Sequence, residues 1–322
     1  MFIISKVTYE NKLKMKKVHI FILFCFIFQY VSSQTKNGFD LSNSSIPVED
    51  IKSGGPPKDG IPAIDNPKFL SAAKAKLDDK TRILGVFEKG IAKAYPIPIL
   101  NYHEIVNDYF NDLPVVITYC PLCGSGIAFD ARVNNTPKTF GVSGLLYNSD
   151  VLLYDRQTES LWSQLKYQAI TGELKREQLT VLNTANTTWK SWKDKHPKTL
   201  VLSKDTGFNR DYSLNPYPNY EESPQLYFPV NNINDLFPPK EMVIGLELNG
   251  RTKAYPFSEL KKLKGKVLED TFAGQTLKIK YNTQAKSAEI MDAQGNLLPA
   301  ITNFWFAWYA FNPDTEVYQH TE

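Results

Sequence analysis

The stretch Ile83–Pro96, Ile-Leu-Gly-Val-Phe-Glu-Lys-Gly-Ile-Ala-Lys-Ala-Tyr-Pro, returns as Val243–Pro256, Val-Ile-Gly-Leu-Glu-Leu-Asn-Gly-Arg-Thr-Lys-Ala-Tyr-Pro. Each copy predicts a hairpin, turning at Lys89-Gly90 or at Asn249-Gly250, where glycine accepts a positive φ. A helix opened by proline follows in each, because proline at the first helical turn forfeits no hydrogen bond. Each copy then predicts a second strand pair, Val115–Tyr119 with Ile127–Asp130 and Leu277–Tyr281 with Ala288–Asp292. A shift of 160 residues aligns the first part of the unit and 162 the second. Two copies are too few for a solenoid. The expected fold is therefore α+β and β-rich, with largely antiparallel strands, a few short helices and a duplication over about residues 83–131 and 243–293. Helices are expected near Pro67–Leu77, Ile97–Val106, Thr187–Lys195 and Phe257–Leu263, where apolar residues recur at helical spacing.

The beginning of the chain reads as a targeting segment. Lys16 and Lys17 precede an apolar run, Val18–Phe28, and Val31-Ser32-Ser33 offers small residues for cleavage before Gln34. A basic start, a short apolar run and a small-residue site predict a secretory signal over residues 1–33. Met15 suits a start better than Met1. The run is short for a membrane span, so no stable transmembrane anchor is expected. The expected localisation is periplasmic or extracellular. Residues 34–65, rich in Ser, Gly and Pro, are expected as a mobile leader, and residues 66–322 as a single β-rich domain holding both repeats.

Removing residues 1–33 changes the charge. That segment holds five lysines and one glutamate, which leaves 32 basic and 33 acidic residues, a net charge of −1 in place of +3. Nothing remains that predicts nucleic-acid binding.

Chemistry concentrates in Tyr119-Cys120-Pro121-Leu122-Cys123-Gly124-Ser125, where a β-branched strand runs into a turn. Cys120 and Cys123 are the only cysteines after residue 33. Two thiols at this spacing can bind a soft metal, cycle between dithiol and disulfide, or form a static bridge in an exported protein. Copper or zinc are the expected metals. His103, on the helix before the strand, is the candidate third ligand, or the group that lowers a thiol pKa. The repeat supplies an internal control: Cys120 aligns with Asn282, Cys123 with Ala285 and His103 with Leu263. The second copy lacks all three residues, so folding alone does not account for them.

Other clusters carry less. Ser143, Asn148, Asp150, Asp155 and Arg156 crowd a predicted hairpin, Thr139–Tyr147 with Val151–Asp155. They read either as a polar wall beside the cysteines or as ordinary turn chemistry, which is the favoured reading for Asp155 and Arg156. Asp205, Asn209 and Asp211 lack the spacing of a calcium loop. Ser163 lacks a nucleophile elbow. His196 ends a helix, and the run Phe304–Phe311 reads as core.

The cysteine turn, with Phe140–Asp150, Tyr154–Ser163 and Thr206–Tyr212, resembles an exported family known as domain of unknown function 3179, over about residues 50 to 318. Some relatives are recorded as selenoproteins, which implies that the cysteine pair serves as nucleophile, redox centre or catalytic metal ligand. This chain has sulfur at both positions. Two functional expectations result. One is an exported protein with a thiol-based redox or soft-metal centre at Cys120 and Cys123, assisted by His103, acting with a small molecule or redox partner of the cell envelope. The other is a non-catalytic cell-envelope ligand-binding protein in which the pair is a structural disulfide.

Overall fold

The computed structural model describes residues 34–321, so the expected signal segment 1–33 lies outside the described residues. No helix among the described residues is long and apolar enough to cross a membrane. Strands take 41% of the chain and helices 10%, with five small sheets arranged as a five-bladed propeller. This corrects the expected α+β class to an all-β one. The helices are connectors of five to seven residues between sheet strands, not a layer of their own.

The blades follow from the strand pairing. The first blade orders Thr184–Thr188, Arg82–Glu88, Ile91–Pro96, Leu200–Leu202 and Phe69–Ser71. The second orders Thr180–Leu182, Ser125–Asp130, Leu113–Cys120 and Ile105–Phe110. The third orders Gln168–Ala169, Leu161–Ser163, Asp150–Asp155, Phe140–Tyr147 and Ile51–Ser53. The fourth orders Ile301–Phe304, Met242–Leu248, Arg251–Pro256 and Glu316–Val317. The fifth has Leu268–Phe272, Gln275–Asn282 and Ser287–Met291.

The two repeats build blades one and two, and four and five. Both hairpins turn where the sequence places them, pairing Glu88 with Ile91 and Leu248 with Arg251. The repeat also extends beyond its legible part. Thr184–Thr188 returns to the first blade and leads into helix Trp189–Lys195, after which Leu200–Leu202 adds in parallel beside Ile91–Pro96. Ile301–Phe304, helix Trp305–Phe311 and Glu316–Val317 do the same in the fourth. In each, a tryptophan lies flat on a strand glycine. A Cβ on Gly85 would fall 2.4 Å from the Trp192 ring, and one on Gly245 would fall 2.3 Å from Trp308. Absence of a side chain is what lets each helix approach its sheet.

The third blade is an insertion in the first repeat, between Ser125–Asp130 and its partner Thr180–Leu182. Its edge strand, Ile51–Ser53, comes from the segment expected as a mobile leader. Phe39, Leu41 and Ile51 there are buried against Leu145, Leu152 and Tyr154, which anchors the segment to the third blade while most of its other residues stay exposed or half-buried. The expected helix over Pro67–Leu77 is instead strand Phe69–Ser71 followed by turns. Its apolar Ala72, Ala75 and Leu77 pack against the cluster of Trp189 and Trp192. Helix Ile97–His103 stops short of Val106 because Glu104 turns into the left-handed region, φ 57°, and Ile105–Phe110 pairs as a strand.

Replacing Gly85 or Gly245 by alanine drives a methyl group into an indole ring. Each substitution is expected to destabilise the fold by roughly 1–3 kcal/mol, read as a lower denaturant midpoint. An unchanged midpoint would mean that the tryptophans are not seated on these strands.

Candidate functional site

Leu113–Cys120 is buried along its whole length, which accounts for its run of Val, Ile and Tyr. It ends at Cys120, which pairs with Ser125 across the turn Pro121–Gly124. Gly124 takes φ 59°, and a Cβ there would meet the Phe304 ring at 3.1 Å. The turn is pinned from the fourth blade, where the Phe304 backbone N–H donates to the Cys123 carbonyl at 2.8 Å.

A second turn meets it from the inserted blade. Asn148 and Ser149, both at positive φ, close the hairpin of Phe140–Tyr147 with Asp150–Asp155, as a two-residue connection with matching twist requires. This hairpin tip docks on the cysteines. The Ser149 carbonyl accepts from the Cys123 thiol at 3.4 Å and lies 3.8 Å from Cys120 Sγ. The sulfurs of Cys120 and Cys123 and a carboxylate oxygen of Asp150 all lie within 4.8 Å of one another, and all three residues are buried. The two cysteines are not joined by a disulfide.

One short segment holds both sides of the cluster in place. Gln164 Oε1 accepts from the Ser125 hydroxyl at 2.6 Å, and Gln164 Nε2 donates to Thr118 Oγ1 at 2.8 Å, which fixes the two strands that flank the cysteine turn. The next backbone N–H, of Leu165, donates to Asp150 Oδ2 at 3.0 Å. Asp150 Oδ1 and the Ser149 hydroxyl oxygen are buried without a hydrogen-bond partner. Such atoms are uncommon in proteins and ask for an explanation.

The electrostatics of the cluster are those of acids taken out of water. Burial pushes both thiols up, Cys123 the further of the two because Cys120 and Asp150 add to it; the Cys123 side chain and backbone N–H partly offset the rise at Cys120. Burial raises Asp150 to about 7, opposed by the N–H groups of Leu165 and Val151 and by the two thiols. Glu104, near the same turn, is raised to about 8 by burial and by Asp150.

Of the residues singled out in the sequence, Cys120 and Cys123 come together and His103 does not join them. His103 is fully buried at the end of helix Ile97–His103. Its Nδ1 is 2.7 Å from the Pro62 carbonyl and its Nε2 is 2.7 Å from the Tyr212 hydroxyl. A carbonyl only accepts, so Nδ1 carries the proton and Nε2 of a neutral ring accepts from Tyr212. Burial lowers the His103 pKa, in keeping with that neutral form. Both nitrogens are thus engaged, and the motif Thr206–Tyr212 supplies the clamp: Tyr212 holds the ring edge and Phe208 packs 5.3 Å from it.

Asp150 takes the place expected of His103. It belonged to the polar crowd at the hairpin tip, whose other members are engaged elsewhere. The Ser143 hydroxyl donates to the Leu152 carbonyl, Asp155 accepts from Thr158 and from the Trp162 indole, and Arg156 pairs with Asp65. No signal in the sequence separates Asp150 from these neighbours. Its role depends on how the inserted blade docks. Among the described residues no second group of three ligating side chains converges, and Asp205 and Asp211 serve Lys68 and Ser213. His196 stacks between Phe87 and Trp192, and the run Phe304–Phe311 is buried core, as its sequence suggests.

Comparison with curated proteins gives no match, and comparison with solved structures gives none. A family model described as "Protein of unknown function (DUF3179)" matches residues 58–315, most of the chain, and by that match the protein belongs to this family.

Proposed function

We propose that Cys120, Cys123 and Asp150 form a metal centre, and that zinc is the ion that suits it, in a protein exported to the cell envelope. The observation that carries this reading is the buried Asp150 Oδ1 without a partner, set within reach of two thiols. With only the two thiols, weak donors, near it, this buried oxygen is poorly satisfied, and a cation would satisfy it. Two soft donors and one hard one fit borderline zinc better than cuprous copper. Charge favours the same choice. Two thiolates and a carboxylate keep a net charge of −1 around a divalent ion and −2 around a monovalent one, and a buried site tolerates the smaller residue better.

Burial also separates this reading from dithiol chemistry. A nucleophilic cysteine needs a depressed pKa and access to solvent. Here both thiols are raised and buried, and His103, the group expected to activate them, is neutral and bound elsewhere. Three protein donors leave the fourth position of a tetrahedral ion open, as in zinc sites that polarise a bound water or carbonyl. Ser149, Gln164 and Leu165 hold the donors in place, and the clamped His103 fixes the helix end beside the strand.

The test is elemental analysis of residues 34–322, exported and purified without a histidine tag. About one zinc per chain is expected, lost in Cys120→Ser and at least tenfold weaker in Asp150→Ala, but kept in His103→Gln. A metal-free protein whose cysteines titrate as a reversible dithiol would overturn the reading.

The metal-free chain should also show the strain of these acids. Asp150 and Glu104 have folded pKa values above their unfolded ones, so the folded state binds protons more tightly. Their contribution is intact at about pH 4 and is lost as pH rises towards 7 and 8. For Asp150 alone the loss is on the order of 4 kcal/mol. In chelator-treated protein, Asp150→Asn should reduce the fall in denaturant stability between pH 5 and 8. If the variant and the parent lose stability in parallel, Asp150 is not the group that holds the proton.

A further inference from the structure

A cavity of about 250 Å³ lies beside the cysteine turn, with Leu122 and Val151, neighbours of the three donors, in its wall. Glu104 lines it and is only 7% exposed. Its backbone is committed, with the N–H donating to Leu100 and the carbonyl accepting from Tyr119. Its carboxyl group has no hydrogen-bond or ion-pair partner among the described residues. Glu104 also sits at φ 57°, a conformation that few residues other than glycine and asparagine adopt readily, so the acid is held in the wall at some cost to the backbone.

Tyr217, Tyr227 and Phe228 also line the cavity. Tyr227 packs on Tyr220 with ring centroids 4.5 Å apart. The Lys240 ammonium lies 3.3 Å from the Tyr220 centroid and donates to the carbonyls of Tyr220, Ser223 and Gln225, which fixes this loop. No lysine, arginine or histidine lines the cavity itself. An unpaired acid and three aromatic side chains lining one cavity, with no cation built in, is the combination that attracts a cation from outside.

We propose that this cavity binds a small organic cation of the ammonium class, with Glu104 as its counter-ion and Tyr217, Tyr227 and Phe228 as its aromatic wall. The cavity has its own lining, none of it shared with the three donors of the cysteine cluster. Carboxylate and rings play separate parts: the acid supplies the charge that a neutral molecule cannot use, and the ring quadrupoles face the alkyl groups that carry the rest of the positive charge. The volume suits a molecule the size of choline, larger than an inorganic ion and smaller than a peptide.

The experiment is isothermal titration of the chain from residue 34 onward at pH 9, where Glu104, raised by burial to about 8, is charged, with choline and with dimethylbutanol, its uncharged isostere. Choline should bind saturably and about tenfold or more tightly than the alcohol. Glu104→Gln should abolish that preference, and Tyr227→Ala, an exposed position whose loss leaves the core intact, should weaken choline severalfold. Equal binding of both probes would make the cavity a plain apolar pocket and overturn the proposal. Failure of choline to bind, or a Glu104→Gln variant that binds choline as the parent does, would overturn it too. Should Glu104→Gln fail to fold, the preference for choline over the alcohol, and its reduction in Tyr227→Ala, decide the matter.

Discussion

Lys93 carries a buried ammonium that meets Asp108, the first strand of the next blade, at 2.8 Å, while the Tyr95 hydroxyl donates to the same carboxylate at 2.6 Å. The second repeat makes the equivalent ion pair and tyrosine bond: Lys253 meets Asp270 at 2.6 Å and Tyr255 donates to it at 2.9 Å. Each set joins the hairpin of one blade to the opening strand of its neighbour. A buried pair of this kind adds little stability over apolar packing, but removing one partner costs several kcal/mol. It therefore fixes which strand faces which, and the geometry between blades one and two, and four and five, rests on it. The tryptophan-on-glycine contacts then seal each returning helix against the sheet so oriented.

That pairing frees the third blade to be different. The turns at Cys120–Gly124 and Asn282–Lys286 occupy equivalent places, and both end in a residue at positive φ, Gly124 in one and Lys286 in the other. In the second repeat the turn closes on itself, with Asn282 Oδ1 accepting from the N–H groups of Gln284 and Ala285. Its carbonyl at Ala285 is capped by the Arg82 guanidinium at 2.5 Å, where the Cys123 carbonyl is capped by the Phe304 backbone. The first repeat has no side chain to close its turn. The inserted blade does so instead, bringing the Ser149 carbonyl and Asp150. The cysteine cluster thus exists where the insertion touches the repeat, and its absence from the second copy matches the absence of an inserted blade there.

This division explains what could be read from the sequence. The duplicated hairpins, the strand pair around the cysteine turn and the hairpin tipped by Asn148-Ser149 are local patterns, set by side-chain alternation and turn chemistry, and they were legible. The class was not, because five sheets closing into a ring is a statement about docking, and strands of two or three residues such as Ile51–Ser53 carry almost no periodic signal. The segment before residue 66 has a composition suited to a loose leader, yet three buried apolar side chains, Phe39, Leu41 and Ile51, anchor it to the third blade. Proximity along the chain points to His103, which ends the helix 17 positions before Cys120 with one strand between them. Asp150 follows the second cysteine by 27 positions and reaches it only through an inter-blade contact, which no spacing rule records.

Burial gives the cluster its chemical character. In water a thiol near its ordinary pKa is a weak acid and a fair nucleophile, but desolvation disfavours the charged form of every acid here at once. Protonated, the cluster is neutral and compatible with the apolar residues around it, among them Leu122, Val142 and Leu153. Deprotonating one member alone would leave a bare buried anion, so a single reactive thiolate is the state this environment suppresses most. A divalent cation changes the balance, because it replaces several protons together and keeps the site close to neutral. On the proposed reading, the desolvation that disfavours a lone thiolate favours a metal ion in place of protons at these donors, which Gln164 and Leu165 help to hold in position.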